Sequence, residues 1–342
     1  AIGHAAVACP PPAPAVARAA LSVSRALANV ASLPLLLVAA VGTLGESGAC
    51  TLGGAYSNTC VETSGEFIRI PVVVRECREP TLEGPIRFNG QLLFTGVGLC
   101  PNILLPGSTT IETDVSATRE APDGAALLVT DSQLTVVPDS FSFSVGRQGC
   151  AVRGTQVQLG GAIRYALPDG LELTLRFDAA RAAFEFLEFS IEPLCDIVRI
   201  VLTLDGPARV EEMAGGSTRS RVDVGFDALA VTLHRPDGMV EIAGAVTLPA
   251  LTTTLELSTP EPLVLPTGAS CFTAGVLAAA AGETRVRLRF DAGDVQLDAD
   301  GDGVADAHFA SCDDLPGSAF SASAAADPGF PATWRRAAPP HG

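Results

Sequence analysis

The ten residues Leu297–Asp306 read LDADGDGVAD and hold four aspartates and two glycines. Counted from Asp298, carboxylates stand at positions 1, 3, 5 and 9, Gly303 at position 6 and Val304 at position 7. Calcium takes six to eight hard oxygen ligands, and alternate side chains plus one backbone carbonyl wrap a single ion where glycine permits a sharp turn. The expected ligands are therefore Asp298, Asp300, Asp302, Asp306 and the Val304 carbonyl, around one structural Ca2+. Charge points the same way. Residues 291–314 contain eight aspartates and no arginine, and such carboxylates repel one another when no cation lies among them. The plain alternative is a solvated acidic hairpin tip.

Over about nine residues this stretch resembles the DxDxDG loops of thrombospondin type 3 repeats, dockerins and EF-hands. The resemblance implies a calcium loop and nothing about the rest of the chain. Phe309 stands where an EF-hand carries its bidentate glutamate, and no helical pattern flanks the loop. Asp313 or Asp314 is placed to complete the shell after AHFAS. Without the glutamate, the expected affinity is weak, on the order of 10⁻⁴–10⁻³ M, the range of extracellular modules.

Other chemistry finds little support, and no catalytic or cofactor-binding residue is assigned. The 22 basic residues are all arginine, which removes phosphate-loop and Schiff-base lysines. The histidines, His4, His234, His308 and His341, accompany no GxSxG elbow or HExxH helix. Glu185, Glu188 and Glu192 follow strand geometry and read as solvent-facing rather than as a glycosidase pair. A net charge of −16 excludes nucleic acid, whose binding requires a basic footprint.

The compartment is legible in two features. Arg18 and Arg25 precede LPLLLVAAV, residues 33–41, and then GTLGESGAC. A basic region, a short apolar run and small residues at Ser47 and Ala49 are the parts of a secretory signal, with cleavage expected between Val41 and Cys50. Residues 1–15 read as lying upstream of the natural start. Nine apolar residues are too few to span a bilayer, which takes ~20. A lipid anchor on Cys50 is the one membrane attachment the sequence offers, and SGAC matches such signals loosely. Eight widely spaced cysteines follow Cys9, with no CxxC pair, a pattern of disulfides in an oxidising compartment rather than of zinc. The location expected is secreted, periplasmic or cell-surface.

These residues must be carried by strands. LELTLRF (171–177) and RVRLRF (285–290) alternate apolar and polar residues, as do SRVDVGFD (220–227) and ALAVTLH (228–234). That two-residue period belongs to half-buried antiparallel strands. PDG turns stand at 122, 168 and 236. Landmarks also recur in order: TLEGPIRF at 81 and TLDGPARV at 203, PDG at 122 and 236, Cys150 and Cys271, LRFDA at 175 and 288, Cys195 and Cys312.

The fold expected is all-β, two tandem related antiparallel modules forming sandwiches or one continuous twisted double sheet, stapled by disulfides. Residues 1–49 are the leader, 50–60 a linker, 61–195 and 196–314 the modules, and 315–342 a flexible tail. The repeat predicts Cys150–Cys195 and Cys271–Cys312, leaving Cys77–Cys100 and Cys50–Cys60 by elimination. The function favoured is a non-catalytic structural or interaction module of a bacterial-type cell envelope, with a calcium-stiffened hairpin and an envelope or extracellular partner. The rivals are a carrier of apolar or lipid ligands on a curved sheet and a calcium-dependent hydrolase or lyase. A filled interior favours the module, an apolar cavity of about 300–1,000 Å³ the carrier, and convergent carboxylates near Asp298 the enzyme.

Overall fold

A computed structural model describes residues 12–30, 47–62, 67–80, 85–99, 102–103, 110–120, 127–146, 149–167, 170–189, 197–235, 237–248, 253–266 and 269–315. The protein is all-β around one described α-helix, α1 (Ala13–Val30). The strands are β1 (Gly48–Ala49), β2 (Ala55–Asn58), β3 (Val61–Glu62), β4 (Phe67–Glu79), β5 (Ile86–Leu99), β6 (Asn102–Ile103), β7 (Thr110–Glu120), β8 (Leu127–Gly146), β9 (Gly149–Ala166) and β10 (Leu171–Phe189). They continue with β11 (Ile197–Ala214), β12 (Ser217–His234), β13 (Met239–Leu248), β14 (Thr253–Val264), β15 (Ala274–Ala281), β16 (Thr284–Asp291), β17 (Asp294–Asp298) and β18 (Ala307–Phe309). From β7 to β18 each strand pairs antiparallel with the next, a long meander. β5 joins β4 to β7, and both β2 and β3 lie on β4.

The expected modules are not separated by a break in pairing. β10 runs alongside β11 from Leu171↔Ala214 to Phe189↔Ile197, so the sheet crosses the 195/196 boundary without interruption. The expected linker contains β2, and Leu315, placed at the head of the tail, is buried. Residues 316–342 lie outside the described residues.

Long strands keep one apolar face by changing parity at bulges. In β10 the inward residues are Leu171, Leu173, Leu175 and Phe177, then Ala180, Ala182 and Phe184. The shift falls at Asp178–Ala179, where Ala179 adopts φ 56°. β12 repeats it: Val222, Val224 and Phe226 face inward, then Leu229 and Val231, with Ala228 at φ 48°. An extra residue in one strand moves every later side chain to the other face, so the bulge restores the apolar side. Hence 220–227 and 228–234, which alternate like two strands, are one. LRFDA, the repeated pentapeptide, has two outcomes. At 175–179 it ends in the β10 bulge; at 288–292 it leads into the Ala292–Gly293 hairpin turn, closed by Asp291↔Asp294.

Two disulfides are described. Cys271–Cys312 forms as predicted, with Cα atoms 5.5 Å apart. Cys50, however, pairs with Cys77, Cα atoms 5.4 Å apart, which corrects both Cys50–Cys60 and Cys77–Cys100. Strand register decides it: β2 lies on β4 with Ala55 opposite Arg75, and Arg78 donates its amide to the Gly53 carbonyl, folding Cys50 back over Cys77. Cys60 is also disulfide-bonded; Cys100, Cys150–Cys195 and its geometry lie outside the described side chains. The Cys50 sulfur, bonded to Cys77, is not available for a thioether-linked lipid. No helix among the described residues is long and apolar enough to cross a membrane.

Gly206 and Gly244 sit across from the β10 and β12 bulges with φ 100° and 137°; a Cβ there would lie 3.2 Å from Ala180 Cα and 3.0 Å from Leu229 Cα. Valine at either position therefore combines a disfavoured backbone with a backbone clash, and each substitution is expected to cost about 2 kcal/mol or more in urea unfolding. Gly160→Ala, where nothing lies within 4 Å, is the near-neutral control.

Candidate functional site

The acidic loop closes the β17–β18 hairpin, with Leu297 opposite Ala307 and the Asp306 amide donating to the Leu297 carbonyl at 2.8 Å. Asp298 is buried beneath it. Its Oδ1 accepts the Gly301 amide at 2.6 Å and its Oδ2 the Gly303 amide at 2.9 Å. Gly301 and Gly303 take φ 79° and 92°, which lets the loop curl over the carboxylate. Asp306 Oδ2 accepts the Ala299 amide at 2.8 Å and so fastens the far end. Carboxylate oxygens of Asp298, Asp300 and Asp306 come within 4.8 Å of one another, a spacing that fits one shared cation.

Asp302 departs from the expected ligand set. Asp302 is outside the converging group, and its Oδ1 accepts the Val304 amide at 2.7 Å. Val304 presents its side chain to solvent. Nor does Asp313 complete the shell: it pairs with Arg219 at 2.9 Å, while Asp314 accepts from Ser311 at 2.9 Å. Arg287 is the cross-strand neighbour of Asp298, so the sheet brings a cation beside the loop that the local sequence lacks. An open groove of about 720 Å³ runs from this loop across the outer sheet face, over Ala278 and Ala280, between Arg285 and Arg287 at one end and Asp227 and Glu256 at the other. Its charged ends distinguish it from an apolar ligand cavity.

A second constellation was missed by sequence reasoning. α1 is buried on every face against β10, β11, β12, β14, β15 and β16. Alanines keep the rod thin and favour helix, and Pro14 falls in the first turn, where no amide is needed. Arg18 and Arg25, expected in the basic region of a leader, are 4% and 1% exposed. Both reach Glu212, which is fully buried: Arg18 donates at 2.8 Å, and Arg25 lies 3.5 Å away. Arg18 also donates to the Cys312 carbonyl at 3.0 Å, and Arg25 lies 3.6 Å from Asp313. The disulfide partner Cys312 thus opens a short 3₁₀ turn (Cys312–Asp314) that clasps the helix. The missed signal was Glu212 itself. It takes an inward position in β11, in step with Ile200, Leu202, Leu204, Ala208 and Val210, where a lone acid requires a partner.

Comparison with protein-family models, with curated proteins and with solved structures found no match.

Because Asp298 satisfies two loop amides, its removal should unravel the hairpin even in chelator, whereas Asp302 holds only its own turn. Asp298→Ala is expected to lower stability by about 2–3 kcal/mol and Asp302→Ala by under about 1 kcal/mol, both measured by denaturant unfolding in EDTA.

Proposed function

We propose that the protein is an exported, non-catalytic structural or interaction module of a cell envelope, whose β17–β18 hairpin is stiffened by one calcium ion. The observation that carries this reading is the filled interior. α1 and the inward faces of β10–β16 pack into one core, and the Asp loop stands at the margin of that core, beside the clasp at Cys312. Disulfides between Cys50 and Cys77 and between Cys271 and Cys312 support an oxidising location outside the cytoplasm. The export proposal rests on these disulfides, because a leader ending near Ala49, as the sequence suggests, would carry α1 away and open the core.

Calcium is the ion proposed because the converging atoms are all carboxylate oxygens, on a loop that glycines allow to close. Asp298, Asp300 and Asp306 supply the protein ligands, and three carboxylates with the remaining sites open to water match weak, millimolar-range binding. The ion offsets carboxylate repulsion that the loop holds in place. Carriage of apolar ligands is the second reading, favoured by the apolar sheet face that α1 covers; the carboxylates converging at Asp298, set out above as the feature favouring a hydrolase or lyase, are read here as calcium ligands.

At 5 mM calcium, binding at about 1 mM affinity stabilises the fold by roughly 1 kcal/mol, a rise of about 1–2 °C in Tm for a chain of this length. Scanning calorimetry of the wild type should show this shift. Asp300→Ala with Asp306→Ala should abolish it, while Asp302→Ala should retain most of it. An equal shift in the wild type and the double variant would reduce the loop to an acidic turn. Mass analysis of the protein exported by a secreting host should find α1 retained; a start between Val41 and Cys50 would show that a leader takes α1 with it and would end the filled-core reading.

A further inference from the structure

One patch of the outer sheet face carries opposite charges that do not meet. Cross-strand register sets Asp227, Ala245, Glu256, Ala280 and Arg285 side by side in one row across β12, β13, β14, β15 and β16. A second row, Ser258, Ala278 and Arg287, runs beside it and ends on Asp298 beneath the acidic loop. Apart from Asp298, both rows line the open groove of about 720 Å³. Asp227, Glu256, Arg285 and Arg287 are exposed, and none of these side chains makes a hydrogen bond or ion pair with a described residue. Arg289, farther along β16, behaves otherwise: it reaches across Val276 to Glu261 at 3.1 Å. Arg285 stands at the same two-strand separation from Glu256 and leaves the groove open. The Asp loop rests on its stem, since a Cβ on Gly301 would lie 3.6 Å from the Arg285 Cβ.

Neighbouring strands lie about 4.8 Å apart, so the Arg285 position stands about 14 Å from the midpoint of the acidic pair. The floor between them is alanine and serine, low enough for a second flat surface to approach. Such a patch is its own complement. Turned by 180° about an axis parallel to the strands and midway between β14 and β15, it lays Arg285 over the partner's Ala245, between the partner's Asp227 and the partner's Glu256. The same rotation makes the reverse contact, satisfies both ends at once and closes the assembly at two copies. A peptide or saccharide would have to bring two opposite charges at this spacing; a second copy of the chain carries them by construction.

We propose that this face joins two copies of the chain in an isologous dimer, with Arg285 of each seated between the acidic pair of the other. The inference goes beyond the module reading by naming a partner. Calcium enters through Asp300, the loop carboxylate that lines the groove at its cationic end. Without the ion that carboxylate offsets the arginines; with the ion bound, the cationic end is restored. This last part alone rests on the calcium reading.

The test is sedimentation equilibrium of the full chain over a rising concentration series. Wild type in millimolar calcium and Asp300→Asn in EDTA are both expected to approach twice the chain mass; asparagine keeps an acceptor for the Asp302 amide and removes the charge. Arg285→Glu and Glu256→Arg each set like charges against one another, and each should weaken association about ten-fold or more. Mixed in equal amounts, the two variants should associate again, because the reversed ends then face each other. Added salt should weaken every dimer by screening. A chain that stays monomeric in both backgrounds overturns the proposal. So does a dimer that neither charge reversal weakens, or one that the mixture of variants, each shown to be folded by circular dichroism, fails to restore. Association of Asp300→Asn in EDTA beside a monomeric wild type in calcium overturns the role of the ion and upholds the two-copy face.

Discussion

A carboxylate with no access to water cannot remain ionised in an apolar trough unless cations meet it there. Glu212 imposes that constraint on the molecule. It faces inward from β11, opposite Leu173 on one side and Ser220 on the other. Its two arginines come from one helix, which fixes how far α1 slides and which side it turns to the sheet. Arg18 and Arg25 then have donors left over, and these draw in the Cys312 carbonyl and Asp313. Cys312 is in turn tied to Cys271 ahead of β15. One buried charge thus orders the helix, the closing turn and the disulfide into a single arrangement.

The sheet can present such a site because its parity is controlled. Strands of 18 or 19 residues, such as β10, β11 and β12, twist and coil too much to keep one face inward by alternation alone. The bulges at Ala179 and Ala228 absorb the mismatch, and Gly206 and Gly244 give the bulged strands room to approach. Asp205 supports the second bulge by accepting the Ala228 amide at 2.7 Å. Without the parity change at Asp227–Ala228, Leu229 and Val231 would face solvent on the strand that packs against α1.

Local patterns were legible and pairings across the chain were not. The alternation in 171–177 and 285–290 identified strands because burial of one face repeats every two residues. The Asp loop was legible because its geometry is contained in nine residues; only its distribution of labour escaped, since Asp302 serves its own turn while Asp306 reaches back to Ala299. Cys271–Cys312 was recovered, whereas Cys50 went to Cys77, because that choice depends on β2 lying on β4. Composition made α1 look like part of a leader, with Arg18 and Arg25 as its basic region. What sequence order hid is that their counter-charge stands almost two hundred residues away.

That distance also explains why the ion cluster contributes more to placement than to net stability. Burying a guanidinium and a carboxylate costs nearly what their attraction returns, so an apolar helix on a sheet without Glu212 would hold the core about as well. Such a helix would have no charge to fix its depth against the buried apolar side chains of β10–β12, among them Leu173, Leu175, Val210 and Val222. Glu212 fixes it. Only a helix that brings its arginines to this level of the sheet avoids an unpaired buried charge, and only at that level does Arg18 meet the Cys312 carbonyl. The clasp therefore closes on a helix of the right charge at the right depth, and the Cys271–Cys312 disulfide ties that clasp to the sheet.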